Sequence, residues 1–262
     1  MSDNKTAIVT GASDGIGLEL ARIFARKGHH VTLVARRGDR LEALAAEIVA
    51  AGGEAPLVVA LDLCAEGAAE RLEAALADAG RSAEFLVNNA GFGLIGRVAE
   101  LDPNEQLACV DLNIRTLTGL TLRFLPAIVA ARGGILNVAS VASFMPGPGF
   151  AVYYASKAYV RSFSEALAEE LKGAGVRVTA LCPGPVRTGF QARAGFDYKG
   201  EMMAMRPALL PASEVARQGY EALAAGRRVI VPGLVNKFFV LAGRLAPRAF
   251  LMPLLARAQR AR

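Results

Sequence analysis

Short apolar runs alternate with longer amphipathic ones along most of this chain. The apolar runs are Ala7–Thr10, His30–Ala35, Pro56–Leu61, Phe85–Asn88, Ile135–Ala139, Arg177–Leu181 and Arg228–Val231. Each is rich in Val, Ile or Leu and bounded by Gly, Pro, Asn or charge, which predicts seven short strands. Between them, residues 15–27, 38–51, 66–79, 103–130, 152–172 and 212–225 carry apolar positions at helical spacing. Asp102 and Pro103 supply an N-cap and a first-turn proline for the fourth of these helices. Strands that are apolar throughout, alternating with helices, predict a parallel sheet covered on both faces. Right-handed crossovers then give a doubly wound α/β fold, with ligands at the carboxyl ends of the strands. The irregular stretch 183–211, with Met202, Met203 and Met205, is a candidate substrate lid or a packed surface loop.

Composition narrows the class. With 53% hydrophobic and 21% charged residues over 262 positions, the chain is globular and long enough for a single large core. Cys64, Cys109 and Cys182 are too few and too scattered for a disulfide framework, and no Cys/His spacing suggests a metal site. The N-terminus reads as a first strand rather than a leader, so a cytoplasmic location is expected. The longest uncharged run, 133–156, holds glycines, prolines and an asparagine that suit a strand and loop better than a membrane span. The net charge of +6 resides in the tail: residues 234–262 hold six basic residues and no acidic one, and the other 24 basic residues are matched by 24 acidic ones. This distribution gives no reason to expect nucleic-acid binding.

The first strand runs into Thr10-Gly11-Ala12-Ser13-Asp14-Gly15-Ile16-Gly17, and a helix follows. Glycines at 11, 15 and 17 permit a tight turn that presents N–H groups and a helix N-terminus to a pyrophosphate. The spacing is GxxxGxG rather than the commoner GxGxxG. The second strand ends in Arg36 and Arg37, with no carboxylate before Asp39. Guanidinium groups there suit a 2′-phosphate, so the expected coenzyme is NADP(H) rather than NAD(H). Asp14, a negative charge in the turn, runs against this reading. At the chemical end, Tyr153 and Lys157 lie four apart on one helix face, so the ammonium is expected to lower the phenol's pKa and make it a general acid/base. Ser140, at the end of the fifth strand, is placed to polarise a carbonyl, with Ser143 a rival farther from the strand end. Asn113 stands mid-helix, where asparagine is a poor helix former, and so marks a local distortion able to hold a water.

Thr10-Gly11-x-x-x-Gly15-x-Gly17, Asp62, Asn88-Asn89-Ala90-Gly91, Asn113, Ser140, Tyr153-x-x-x-Lys157 and Pro183-Gly184 occur in order and spacing similar to those of the short-chain dehydrogenase/reductase family, over about residues 5–232. That resemblance implies a single Rossmann-type domain with a seven-stranded parallel sheet, taken as residues 1–233, followed by a basic extension, 234–262. It implies an NADP(H)-dependent oxidoreductase interconverting a carbonyl and a secondary alcohol. In it Tyr153 exchanges a proton with the substrate oxygen, Lys157 also binds the nicotinamide ribose, Ser140 orients the carbonyl and Asn113 anchors a relay water. Asp62, with Leu63 beside it, would meet the adenine. Asn89, Ala90 and Gly91 would line the adenosine ribose. Pro183, Gly184, Val186 and Thr188 would form the loop that holds the carboxamide. The family also implies self-association as a dimer or tetramer through the fourth and fifth helices. The tail is similar to those of bacterial 3-oxoacyl and hydroxysteroid-type reductases, which points to an apolar small-molecule substrate. The tail either packs on the protein, the favoured reading, or meets anionic lipid. The rival functional classes are a non-catalytic NADP(H) sensor and a membrane-surface enzyme or scaffold.

Overall fold

The computed structural model describes residues 4–186, 190, 194, 209–246 and 253. Strand and helix alternate as β1 (Lys5–Thr10), α1 (Gly15–Arg26), β2 (His30–Ala35), α2 (Gly38–Ala50), β3 (Leu57–Ala60), α3 (Ala68–Asp78) and β4 (Ser82–Asn88). Then come α4 (Pro103–Val110), α5 (Leu117–Ala131), β5 (Gly134–Val138), α6 (Ala151–Glu170), β6 (Arg177–Leu181), α7 (Ala212–Ala224), β7 (Val229–Ile230) and α8 (Leu234–Leu245). All seven predicted strands form, within three residues of the predicted bounds, as one parallel sheet in the order β3-β2-β1-β4-β5-β6-β7.

Successive strand residues feed opposite layers, as the pleat requires. Ala7 and Val9 join one core with Leu20, Phe24, Leu41 and Leu223, under α1, α2 and α7. Ile8 between them joins the other, with Leu72, Leu76, Phe124, Ile128 and Leu167, under α3, α5 and α6. Strands β2 and β5 are buried at every position, and that explains why they read as apolar without alternation. Because β1 is flanked by β2 on one side and β4 on the other, the loops leaving β1 and β4 diverge and open a crevice at the carboxyl edge. A buried polar chain crosses the layer beneath it. Asn88 donates to Thr121 Oγ1 (3.0 Å) and to Asn137 Oδ1 (2.9 Å), and Asn137 donates to Ser164 Oγ (2.9 Å).

Two elements differ from the pattern-based reading. The fourth helical pattern is not one α-helix: Asp111–Thr116 is a π-helical turn between α4 and α5. This 29-residue run is long and apolar enough to cross a membrane. Here Leu120, Phe124 and Ile128 on it are buried in the core. The basic tail, read as an interrupted amphipathic segment, begins as the regular helix α8, which ends one residue before Ala246 and two before Pro247. It docks on the domain through buried Asn236 and Val240. The Met145 methyl lies so near Gly243 that a Cβ there would sit 2.6 Å from it. One face of α8 therefore packs on the domain, while Leu234, Phe238, Leu241 and Leu245 stay exposed. Residues Met202, Met203 and Met205 of the candidate lid lie outside the described residues.

Candidate active site

The crevice begins at the glycine turn. Gly11 takes a φ of +65°, which a side chain would strain. A Cβ at Gly17 would lie 2.5 Å from the Gly11 carbonyl oxygen, so α1 can start this close to β1 only with glycine there. Thr10 and Asn89 lock the turn to β4. Thr10 Oγ1 donates to the Val87 carbonyl (3.0 Å) and accepts from the Asn89 and Ala90 N–H groups. The Asn89 side chain donates to the carbonyls of Thr10 (2.9 Å) and Gly11 (3.2 Å). The Thr10 hydroxyl, read in the sequence only as part of a motif, is thus the clamp between the two strand ends. At the α1 N-terminus no side chain caps the helix and no acidic residue occupies the first turn, so its N–H groups and the positive end of its dipole face the crevice.

Arg37 folds over this turn. Its guanidinium donates to Ser13 Oγ from Nε (3.3 Å) and Nη2 (3.0 Å) and lies 4.0 Å from Asp14. Asp14 is therefore compensated by a neighbouring cation rather than left to repel a phosphate. Arg36, exposed at the end of β2, also lines the crevice. Farther along the rim, Asp62 accepts from the Cys64 N–H (3.0 Å), and buried Leu63 accepts from Thr116 Oγ1 through its carbonyl.

The reactive end is built where β5 meets α6. Ser140 leaves β5 in extended backbone and caps the short turn Val141–Phe144 by accepting from Ala142 N–H (3.1 Å). Its hydroxyl also donates to the Pro183 carbonyl (3.4 Å), and both Ser140 and Tyr153 line the crevice. Ser143 is turned away, donating to the Ser140 carbonyl (2.6 Å), which decides between the two serines. The Tyr153 ring stacks on Phe150, with centroids 4.5 Å apart and planes 17° apart. Lys157 Nζ lies 5.8 Å from the Tyr153 ring centroid and donates to the Val138 carbonyl (2.8 Å).

Asn113 sits in the π-helical turn, as its poor helix propensity suggested, and is buried. Its amide donates to the Phe92 carbonyl (2.9 Å) and Ser156 Oγ (3.0 Å), and its oxygen accepts from Phe92 N–H (3.1 Å). Ser156 in turn donates to the Tyr153 carbonyl (2.7 Å). With both amide hydrogens used, one lone pair of Oδ1 remains for a water. Ser156 and Phe92 were missed in the sequence. Ser156 sits inside the Tyr-x-x-x-Lys spacing, but nothing in that spacing says that it faces Asn113. Pro183 and Gly184 line the crevice directly beside Ser140, and Val186 is buried, bridged to Leu210. Thr188 lies outside the described residues. Gly91 stands between Asn113 Oδ1 and Lys157 Nζ, at hypothetical Cβ distances of 2.8 and 3.4 Å.

The electrostatics reverse one expectation. Burial raises the Tyr153 phenol well above its ordinary value, and the neighbouring Ser140 hydroxyl opposes this only in part. Burial lowers Lys157 from 10.5 to about 8. Sharing a helix face does place the pair together, but both groups are out of water, and desolvation outweighs the attraction expected of an exposed pair. The phenol is thus held protonated. Between pH 8 and 10.5 the unfolded chain keeps a proton at Lys157 that the folded chain has released, so this group's contribution to stability rises with pH across that window. Urea midpoints measured across it should show the protein gaining on Lys157→Met; parallel curves would contradict the burial argument.

These features share one cavity of about 1010 Å³, running from Gly11 and Arg36 past Asn89 to Ser140, Tyr153 and Phe239. A family model described as short chain dehydrogenase matches residues 5–198. The chain is 40% identical over 186 residues to a serine 3-dehydrogenase of Agrobacterium fabrum, covering 71% of this chain and 73% of that one. It is 39% identical over 196 residues to an NADP-dependent 3-hydroxy acid dehydrogenase of Salmonella typhi, covering 74% and 77%. Its structure is similar to that of a short-chain dehydrogenase from Sphingobium yanoikuyae in complex with NADPH, with a TM-score of 0.80, 32% identity and 95% coverage of both chains.

Proposed function

The chain belongs to the short-chain dehydrogenase family, whose members are oxidoreductases of carbonyl and alcohol groups, and on that premise we propose that it is an NADP(H)-dependent reductase of an apolar ketone. The observation that carries the reading is that Ser140, Tyr153 and Lys157 together line one cavity continuous with the glycine turn. The cradle suits a dinucleotide: exposed N–H groups at the α1 N-terminus would take the pyrophosphate, and Arg36 and Arg37 the 2′-phosphate. Asp62 and Leu63 would meet the adenine, Asn89, Ala90 and Gly91 the ribose beside it, and Pro183, Gly184, Val186 and Thr188 the carboxamide. The bound coenzyme supplies the hydride.

The remaining work belongs to the chain's own residues. Ser140 donates to the substrate oxygen and fixes the carbonyl. Tyr153, held protonated, gives that oxygen its proton as the alcohol forms. Lys157 holds the nicotinamide ribose and faces the phenol with a cation that stabilises it once deprotonated. Asn113 secures α6 through Ser156 and offers its free lone pair to a relay water. Self-association through the α5–α6 side, where Leu122 and Tyr159 are exposed, fits the same reading.

The substrate end favours an apolar molecule. Phe92, Met145, Phe150, Tyr154, Phe190 and Phe239 line it. Among the described lining residues the cations are Arg36 and Arg37, at the coenzyme end, and Lys157. A buried carboxylate would need a cation or several donors of its own. NADPH consumption should therefore favour bulky apolar ketones over keto acids of similar size by about tenfold or more in kcat/KM. Preference for the keto acids would overturn the substrate class and leave the reaction type standing.

A further inference from the structure

Helix α8 presents three different faces. Asn236, Val240 and Gly243 turn to the domain. Val235 and Phe239 help line the mouth of the catalytic cavity. Leu234, Phe238, Leu241 and Leu245, spaced four, three and four apart, form a third face directed outward, and they are 81, 69, 55 and 74% exposed. Helical geometry places exposed Lys237 and Arg244 along one flank of this stripe and the cavity mouth along the other. Four large apolar side chains in one exposed row mark a binding surface.

Charge selects the occupant. The segment 234–262 carries six basic residues without an acidic one, in a chain otherwise balanced. A second copy of α8, or the chain's own last residues, would bring like charge against Lys237 and Arg244. An anionic surface brings the opposite charge together with an apolar layer of the depth a helix face needs. We propose that the outward face of α8 docks the protein on anionic lipid, with the cavity mouth beside the membrane. Asn236 ties this helix to the active site. It donates to the Pro232 carbonyl (2.9 Å) and packs so closely on Gly184 that no side chain fits there. The docking element is thus also part of the wall behind the proposed carboxamide loop. Docking itself does not depend on the redox reading; delivery of an apolar ketone from the lipid to the cavity rests on it.

The test is co-sedimentation of the full chain with phosphatidylcholine vesicles, with and without phosphatidylglycerol. The protein should sediment with the anionic vesicles at least about tenfold more than with the neutral ones, and less as salt is raised. The double variant Phe238→Asp/Leu241→Asp, outside the cavity lining, should lose that binding while keeping its thermal midpoint and its affinity for NADPH. No sedimentation, equal sedimentation with both vesicles, or binding that survives the double variant would overturn the proposal. So would a change from dimer to monomer in the variant without vesicle binding by the parent, which would assign the face to a second copy. Since no arm measures turnover, an inactive enzyme that still sediments would count against the proposed reaction alone.

Discussion

Replacing Tyr153 with Phe should lower carbonyl reduction by roughly a hundred- to ten-thousandfold while leaving NADPH binding intact. The substitution removes one oxygen and keeps the ring, so the stacking on Phe150 at 4.5 Å survives and the cavity wall is preserved. What disappears is the phenolic proton beside Ser140, carried by a group that burial holds protonated. Such a loss corresponds to about 3–5 kcal/mol of transition-state stabilisation. Single-turnover absorbance of NADPH, together with fluorescence titration of the coenzyme, separates chemistry from binding. A protein that only senses NADP(H) would show no change in any property, and unchanged turnover would remove Tyr153 from the reaction.

Arg36 and Arg37 should separate in a second experiment. Arg36 lines the cavity and, among the described residues, makes no hydrogen bond to the glycine turn, so its guanidinium would serve the 2′-phosphate and not the turn itself. Arg36→Ala should weaken NADPH by about 10- to 100-fold, the range of about 1.5–3 kcal/mol for a charge-assisted hydrogen bond, and leave NADH unchanged. Arg37 is bound to Ser13 and stands 4.0 Å from Asp14. Arg37→Ala removes a cation that stands beside Asp14 and is bonded to the glycine turn at Ser13, so it should weaken both coenzymes. Titration of each apo-protein with NADPH and NADH reads these outcomes directly. Equal affinity of the unmutated protein for the two coenzymes would contradict the role given to this corner.

The reversed pKa at Tyr153 shows where residue spacing stops being informative. Four residues of separation put Tyr153 and Lys157 on one face, and the structure keeps them together. Spacing carries no information about the Phe150 ring, the layer of α6 against β5, or the Val138 carbonyl that accepts the ammonium's hydrogen bond. Those contacts exclude water, and exclusion of water set the direction of both shifts. Asn113 teaches the complementary lesson. Its poor fit to a helix interior announced the π-helical turn, but its partners, Phe92 and Ser156, lie 21 and 43 residues away. The tail behaves likewise: its basic character is plain in the sequence, whereas the division of α8 into a docked, a cavity-lining and an outward face appears only once Met145 and Gly184 are in place.

By itself the sequence determined the seven strands, the burial of the central ones, the glycine turn with its arginines, and the residue types of the candidate reactive set. Each of these is a matter of local period, backbone permission or charge within a few residues. The tertiary structure alone decided which serine lines the crevice, which cation stands beside Asp14, the direction in which burial shifts the buried pair, and where the outward face of α8 points. These outcomes depend on groups brought together from distant parts of the chain and on the water they displace, and neither is encoded in the spacing of neighbours.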